Sequence, residues 1–348
     1  MDATASPSPL LDIRDLHASF RGPKGYSEAV RGVDLTLEAG KVLGIVGESG
    51  SGKSVTMMAL LQLLPATSRI TGSARFKGRE LIGMPHEDIR RIRGKQIGVV
   101  FQDPLTAFNP VITIGEQIAE AIELHDSSIS HRAALSEAEH LLDMVAIPQP
   151  GSRIRQYAHE FSGGMRQRAM IAMAIANRPA LLIADEPTTA LDVTVQAQIL
   201  DLMQELRETL GIGLVLITHD LGVVAGSADE IAVMYGGRIV ERGTADDLFR
   251  ERRHPYTRGL LDAIPKMVDM PESLTPIEGT PPSIWARPTG CSFHPRCRFA
   301  TERCRHEDPM LRMVGATYSA CHHAEDLPAI AGPASAASQT REFTETGL

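Results

Sequence analysis

The chain predicts an α/β fold built on a largely parallel sheet with helices on its faces. Three observations carry that prediction. Short apolar strand runs alternate with helix-like stretches, a glycine-rich loop joins one such run to one such helix, and a further apolar run ends in two adjacent carboxylates. The chain has 348 residues, 43% apolar and 22% charged, enough for one large domain or two with a sizeable core. Its net charge of −8 argues against a nucleic-acid protein, which would carry a basic field. No run approaches a membrane-spanning length, and the N-terminus MDATASPSPL has neither a charged region nor an apolar core of a signal peptide. A cytosolic chain is expected, with any membrane role exercised through partners.

Taken in order, residues 1–10 and the Ala-, Ser- and Pro-rich tail 327–348 read as disordered. Residues 11–101 carry the β-like runs LLDIRDLHASF, VDLTLEAG and SARF, and the strand IGVVF. Within them VLGIV is a buried-strand run, followed by GESGSGKS and then VTMMALLQLL. In that last stretch Met57, Leu60, Leu61 and Leu64 fall at i, i+3, i+4 and i+7 and stop before Pro65, which predicts a helix. Residues 103–178 read as mostly helical; Leu135, Ala138, Leu141, Leu142 and Val145 form an apolar stripe in SHRAALSEAEHLLDMV, which marks a core face. Residues 181–241 return to alternation: strand LLIAD, helix QAQILDLMQELRETL, strand LVLIT, and IAVMY and RIVE as a hairpin around Gly236-Gly237. From His254 onward prolines are frequent and long elements absent, the texture of a small accessory region.

The loop carries the first chemistry. Gly47, four residues, then Gly52, Lys53 and Ser54 match the spacing of a phosphate-cradling P-loop. Glycines let the backbone wrap an anion closely, so that the amides of Glu48, Ser49, Gly50, Ser51 and Val55 can join the cradle at the positive end of the following helix. Lys53 can reach the outer phosphates and the Ser54 hydroxyl can ligate Mg²⁺. LLIADEP then delivers Asp185 and Glu186 at a strand's C-terminal end, where ligands of open α/β sheets collect. Asp185 can share the Mg²⁺ and Glu186 can deprotonate an attacking water. Gln102 in FQDP, Ser162-Gly163-Gly164 in FSGGMRQR, Asp192 in TALD and His219 in ITHD are individually weak signals. Serine and two glycines opening a helix can be simple capping or a second anion site. Two anion sites with one catalytic carboxylate suggest that a second subunit completes each site.

In this order the motifs resemble the ATPase subunit of ABC transporters. That resemblance implies ATP with Mg²⁺, a mostly parallel sheet core with an antiparallel β subdomain and a helical signature subdomain, and specific roles. Gln102 senses Mg²⁺ and the water and couples to the membrane subunits; Ser162, Gly163 and Gly164 contact the nucleotide of the opposing protomer. Asp192 crosses the dimer interface, and His219 holds the γ-phosphate and positions Glu186. An aromatic that stacks on adenine is expected upstream, with Phe20 and Tyr26 as candidates on either side of the insertion RGPKGYSEA. Phe161 and Met165 replace the outer residues of the usual LSGGQ signature.

A narrower resemblance rests on FQDPLTAFNP, HEFSGGMRQRAMIAMAIA, HPYTRGLLDAIP and GCSFHPRCRFATERC, which look like the ATPases of oligopeptide/dipeptide importers. It implies an ATPase domain over 11–253 with its helical subdomain at about 103–178, and the family's C-terminal region over 254–326. It also implies peripheral attachment at the cytoplasmic face of the membrane, a second related ATPase as partner, two membrane permease subunits and an extracytoplasmic substrate-binding protein, with no nucleic acid. The rival readings are a soluble ABC-type ATPase acting on nucleic acid or the ribosome, and an importer ATPase for nickel or glycosides.

The chain's four cysteines, Cys291, Cys297, Cys304 and Cys321, lie in one window with spacing C-x5-C-x6-C-x16-C. In a cytosolic chain such clustering points to metal rather than disulfides. Free buried cysteines, structural zinc and an iron–sulfur cluster are the three readings. Zinc sites usually pair their ligands as C-x2–4-C, and no such pair occurs here. The family resemblance favours a 4Fe–4S cluster. With many prolines and little periodic apolar pattern around it, such a centre would staple the region, and nothing in the sequence places it beside the P-loop or gives it a part in hydrolysis.

Overall fold

The computed structural model describes residues 8–189, 191–263 and 277–327. Most of both expected disordered ends, and the last residues of HPYTRGLLDAIP, lie outside this set. Leu10, at the edge of the N-terminal stretch, is buried in the core, and its carbonyl accepts from the Lys77 N–H.

The first half runs β1 (Leu11–Gly22), β2 (Gly25–Leu37), β3 (Val42–Val46), α1 (Lys53–Leu60), β4 (Arg69–Phe76), β5 (Arg79–Glu80), α2 (His86–Ile92), β6 (Ile97–Val100), α3 (Pro104–Ala107), α4 (Ile114–Glu123), α5 (His131–Met144), α6 (Pro150–Arg153) and α7 (Gly163–Ile175). The second runs β7 (Leu181–Asp185), α8 (Val193–Leu210), β8 (Gly213–Thr218), α9 (Leu221–Ala225), β9 (Glu230–Tyr235), β10 (Arg238–Gly243), α10 (Ala245–Glu251), α11 (Pro255–Asp262), α12 (Glu302–His306), β11 (Arg312–Val314) and β12 (Thr317–Ser319).

Two sheets result. The larger has the order β11-β12-β10-β9-β3-β8-β7-β6, and the smaller, antiparallel one the order β2-β1-β4-β5. β3 lies parallel between β8 and β9, and β7 parallel between β6 and β8. Both faces of this parallel heart are covered, which is why its strands read as unbroken apolar runs. Along β3, Val42 and Val46 enter one core while Leu43 and Ile45 enter the other; β8 divides in the same way, Leu214 and Leu216 against Val215 and Ile217. The first core is closed by helices, among them α4, α5, α7 and α8, through Ile118, Leu142, Met170 and Met203. The small sheet closes the second through Leu11, Ile13, Leu35 and Phe76. Each fully buried side chain of this size stabilises the fold by roughly 1.5–3 kcal/mol.

Three features differ from the sequence expectation. α1 ends at Leu60; Leu61 remains buried, but Gln62 adopts a left-handed backbone (φ 51°) that turns the chain before Pro65 is reached. The RGPKGYSEA insertion is a continuation of β1 and β2, which close on each other at Gly22 opposite Gly25. The Pro-rich C-terminal region is sewn onto the main sheet, because β12 pairs with β10 (Glu241 opposite Ser319, Arg242 opposite Tyr318). The hairpin at Gly236-Gly237 forms as its sequence suggests, with both glycines at positive φ (55° and 85°).

Candidate nucleotide site

β3 delivers the P-loop at the C-terminal edge of the parallel sheet. Gly47 hydrogen-bonds through its N–H to the Thr218 carbonyl (3.3 Å), and a Cβ there would lie 2.2 Å from the Met234 carbonyl oxygen, so only glycine fits. Gly52 opens α1 at φ 105° without a side-chain cap, which leaves first-turn N–H groups for an anion. Farther round the loop, the Ser51 carbonyl accepts from the Gly237 N–H at 2.9 Å. Lys53 is buried, and its Nζ donates to the carbonyls of Gly47 (2.6 Å) and Glu48 (3.1 Å) and lies 3.8 Å from Glu186 Oε1. Burial lowers its pKa, against the pull of Glu186, Asp185 and Glu48.

β7 brings the two carboxylates to the same edge. The Ser54 hydroxyl donates to Asp185 Oδ1 at 2.8 Å. Burial raises the Asp185 pKa; the Ser54 hydrogen bond lowers it and the Glu186 charge raises it further. These hard oxygen donors suit Mg²⁺, whose charge would offset the repulsion between the two carboxylates. Glu186 has φ 47°, an uncommon backbone for a non-glycine residue, with its N–H on the Ile217 carbonyl (2.9 Å). Its Oε2 accepts from Gln102 Nε2 (3.0 Å) and the Thr189 hydroxyl (2.9 Å), and lies 3.5 Å from His219 Nδ1. Side chains from the P-loop, the segment after β6, the end of β7 and the end of β8 thus converge on one carboxylate. Thr189 opens the TALD stretch, in which the sequence marks only Asp192 for a role. Its place three residues after Glu186, in the turn that follows β7, is the signal that could have found it.

Other expected residues are elsewhere. Ser162 caps α7, accepting from the Met165 N–H (3.3 Å), and Asp192 caps α8, accepting from the Val195 N–H (2.9 Å). Gly163 and Gly164 approach Leu191 and Val195 at the start of α8. Among the described residues, no hydrogen bond or ion pair joins Ser162–Gly164 to the P-loop. Phe20 lies half-buried on β1, while Tyr26, on β2, is exposed with the Arg69 guanidinium 3.7 Å over its ring.

Residues 30–189 match the family described as ABC transporter, and residues 240–304 match the oligopeptide/dipeptide transporter C-terminal region. The oligopeptide transport ATP-binding protein OppD of Haemophilus influenzae is 51% identical over 86% of this chain and 92% of its own length. OppD of Salmonella typhimurium is 48% identical (92% and 96% covered), and the dipeptide transport ATP-binding protein DppD of Bacillus subtilis is 49% identical (83% and 86%). The chain belongs to the oligopeptide/dipeptide branch of the ABC transporter ATP-binding proteins. As an ABC ATPase it shares its fold with the dimeric cassette MJ0796 solved in a post-hydrolysis state with ADP and Pi. The TM-score is 0.61 at 25% identity, covering 68% of this chain and 98% of that one. No helix among the described residues is long and apolar enough to cross a membrane.

The branch-specific C-terminal region corrects one expectation. It does lie beside the P-loop: Arg296, between Cys291 and Cys297, pairs with Glu48, and the Tyr256 hydroxyl accepts the Glu48 N–H at 2.8 Å. The expected metal centre, in contrast, is not shown. All four cysteines are free and line one small cavity with His254, Phe293, His294, His322 and His323. Yet no group of three or more His, Cys, Asp or Glu among the described residues is gathered as a metal site. Burial pushes the thiols of Cys291 to about 11 and Cys321 to about 12, with the neighbouring sulfurs adding to the shift.

Proposed function

We propose that this ABC ATPase is the energy-coupling subunit of a peptide importer and that Glu186 is the base of its hydrolytic step. The observation that carries the reading is the set of contacts around Glu186: Gln102, Thr189 and His219 all address Oε2, leaving Oε1 toward Lys53. In this reading amides within residues 49–55 and Lys53 hold the phosphates of ATP, the Gly47 and Glu48 amides being bonded to Thr218 and Tyr256 instead of joining the cradle. Ser54 and Asp185 hold Mg²⁺, and Phe20 or Tyr26 stacks on the base. Bound Mg²⁺ supplies charge neutralisation on the phosphates. Glu186 takes a proton from the attacking water, Gln102 and His219 orient it, and positioning and electrostatics account for the catalysis. Ser162, Gly163 and Gly164 complete the site of an opposing ATPase subunit, with Asp192 at the shared interface; their separation from the P-loop within one chain supports this. The subunit works peripherally at the inner face of the membrane, against two permease subunits served by a substrate-binding protein.

Reconstitution with the cognate membrane subunits tests this. ATP hydrolysis should rise on adding the binding protein loaded with a di- or oligopeptide. Stimulation by nickel or a glycoside instead would assign a different cargo, and stimulation by nucleic acid would overturn the importer reading.

A second proposal concerns the cysteines. The four cysteines that line one cavity would, once deprotonated, hold a 4Fe–4S cluster, in preference to zinc, as a staple for residues 285–325. Anaerobically purified protein should then be brown and contain about four irons per chain, lost in Cys297→Ser. One zinc and no iron would refute the cluster.

A further inference from the structure

The P-loop carries a carboxylate, Glu48, inside a motif built to receive a polyanion. An unpaired charge there would repel phosphate. Arg296 meets it: Nη1 donates to Glu48 Oε2 at 2.7 Å and Nη2 to Oε1 at 3.1 Å, a forked pair in which the arginine side chain is only 6% exposed. The remaining guanidinium donors are also used, on the Tyr235 hydroxyl (3.3 Å) and the carbonyls of Ile277 (3.2 Å) and Glu278 (2.9 Å), so the fork is fixed in place. Tyr256 fastens the same residue from another side, through its hydroxyl on the Glu48 N–H. Its ring is fully buried, 4.6 Å from Tyr235 and 5.5 Å from Phe293. The turn that presents Tyr256 is held in turn by Glu241, which accepts from the Arg253 N–H (2.5 Å) and the His254 N–H (3.0 Å).

We propose that Arg296 and Tyr256, both from the C-terminal region, are positioning residues for the phosphate-binding loop: Arg296 cancels the charge of Glu48, and Tyr256, through the Glu48 N–H, holds the loop's outer side in its receiving shape. The proposal rests on the nucleotide-binding reading above. A loop fixed before the ligand arrives does not lose its backbone freedom on binding, a loss that otherwise weakens affinity.

Binding of a fluorescent ATP analogue to the purified full chain, with thermal unfolding measured alongside, tests it. Arg296→Met should weaken binding about tenfold, equivalent to about 1.4 kcal/mol. Adding Glu48→Gln to that variant should restore most of the loss, because the uncompensated charge is gone; a scaffold role for Arg296 predicts no such rescue. Glu48→Gln alone should bind at least as tightly as the parent, and this holds as a test even if Arg296→Met fails to fold. Tyr256→Phe should weaken binding while leaving the Glu48–Arg296 pair intact. Parental affinity in Arg296→Met, absence of rescue in the double variant, or weaker binding in Glu48→Gln would each overturn the proposal. If the parent binds and Lys53→Ala does not, such a result refutes only this inference; a parent that does not bind at all refutes the nucleotide reading itself.

Discussion

Replacing Glu186 by Gln should abolish turnover while leaving ATP held. The carboxylate is 13% exposed and receives Gln102, Thr189 and His219 on one oxygen, with Lys53 3.8 Å from the other. A glutamine of the same shape keeps one acceptor oxygen but cannot take a proton. Loss of a positioned general base removes roughly 10²–10⁴ in rate. Binding should survive for two reasons. Lys53 keeps its bonds to the Gly47 and Glu48 carbonyls, and Asp185, whose pKa is raised partly by the Glu186 charge, becomes easier to ionise and so a better Mg²⁺ ligand. Phosphate release measured in the reconstituted complex, beside equilibrium binding of labelled ATP, separates the two effects. Turnover within a few-fold of the parent would show that another group activates the water. Loss of binding in step with turnover would show that Glu186 holds the nucleotide instead.

Lys53→Ala should show the converse defect. It removes the buried ammonium that faces the phosphates, and ATP affinity should fall by about 10- to 100-fold, read by the same binding assay. Ser162→Ala loses the cap on α7 and about 1 kcal/mol of helix stability; ATP binding by the isolated chain should be unchanged while hydrolysis in the assembled pair falls. Weakened binding in the isolated monomer would contradict the shared-site reading. His254 supplies a pH test. Burial depresses its pKa from 6.5 to about 3, and its neutral Nδ1 accepts the Tyr256 N–H at 3.1 Å. The unfolded chain takes up this proton first, so the stability it contributes is full above pH 6.5 and is lost as pH falls toward 3. The loss is up to about 1.4 kcal/mol per pH unit. Glu241, whose burial raises its pKa to about 7, gains stability over the same fall in pH and offsets part of this loss. The test is therefore the difference between proteins: between pH 7.5 and 5 the denaturation midpoint of the parent should drop relative to that of His254→Asn, which keeps a cap acceptor but cannot titrate.

The parallel heart of the fold and the nucleotide motifs were legible in the sequence for a local reason. A strand buried on both faces must be apolar throughout, as in VLGIV and LVLIT, and an anion loop must place its glycines and lysine at fixed spacing. Local spacing therefore carries the class of chemistry and the residues at each strand end. Tertiary structure alone decided how they meet: that Thr189 and His219 share one oxygen of Glu186, and that α7 opens beside α8 away from the P-loop. It decided most in the C-terminal region, where no periodic pattern announces structure. There the β11–β12 hairpin joins the main sheet through the pairing of β12 with β10, and Arg296 finds Glu48 across 248 residues of sequence. Contacts between such distant residues leave no local spacing to read, because they exist only once the sheet has brought both segments to the same edge.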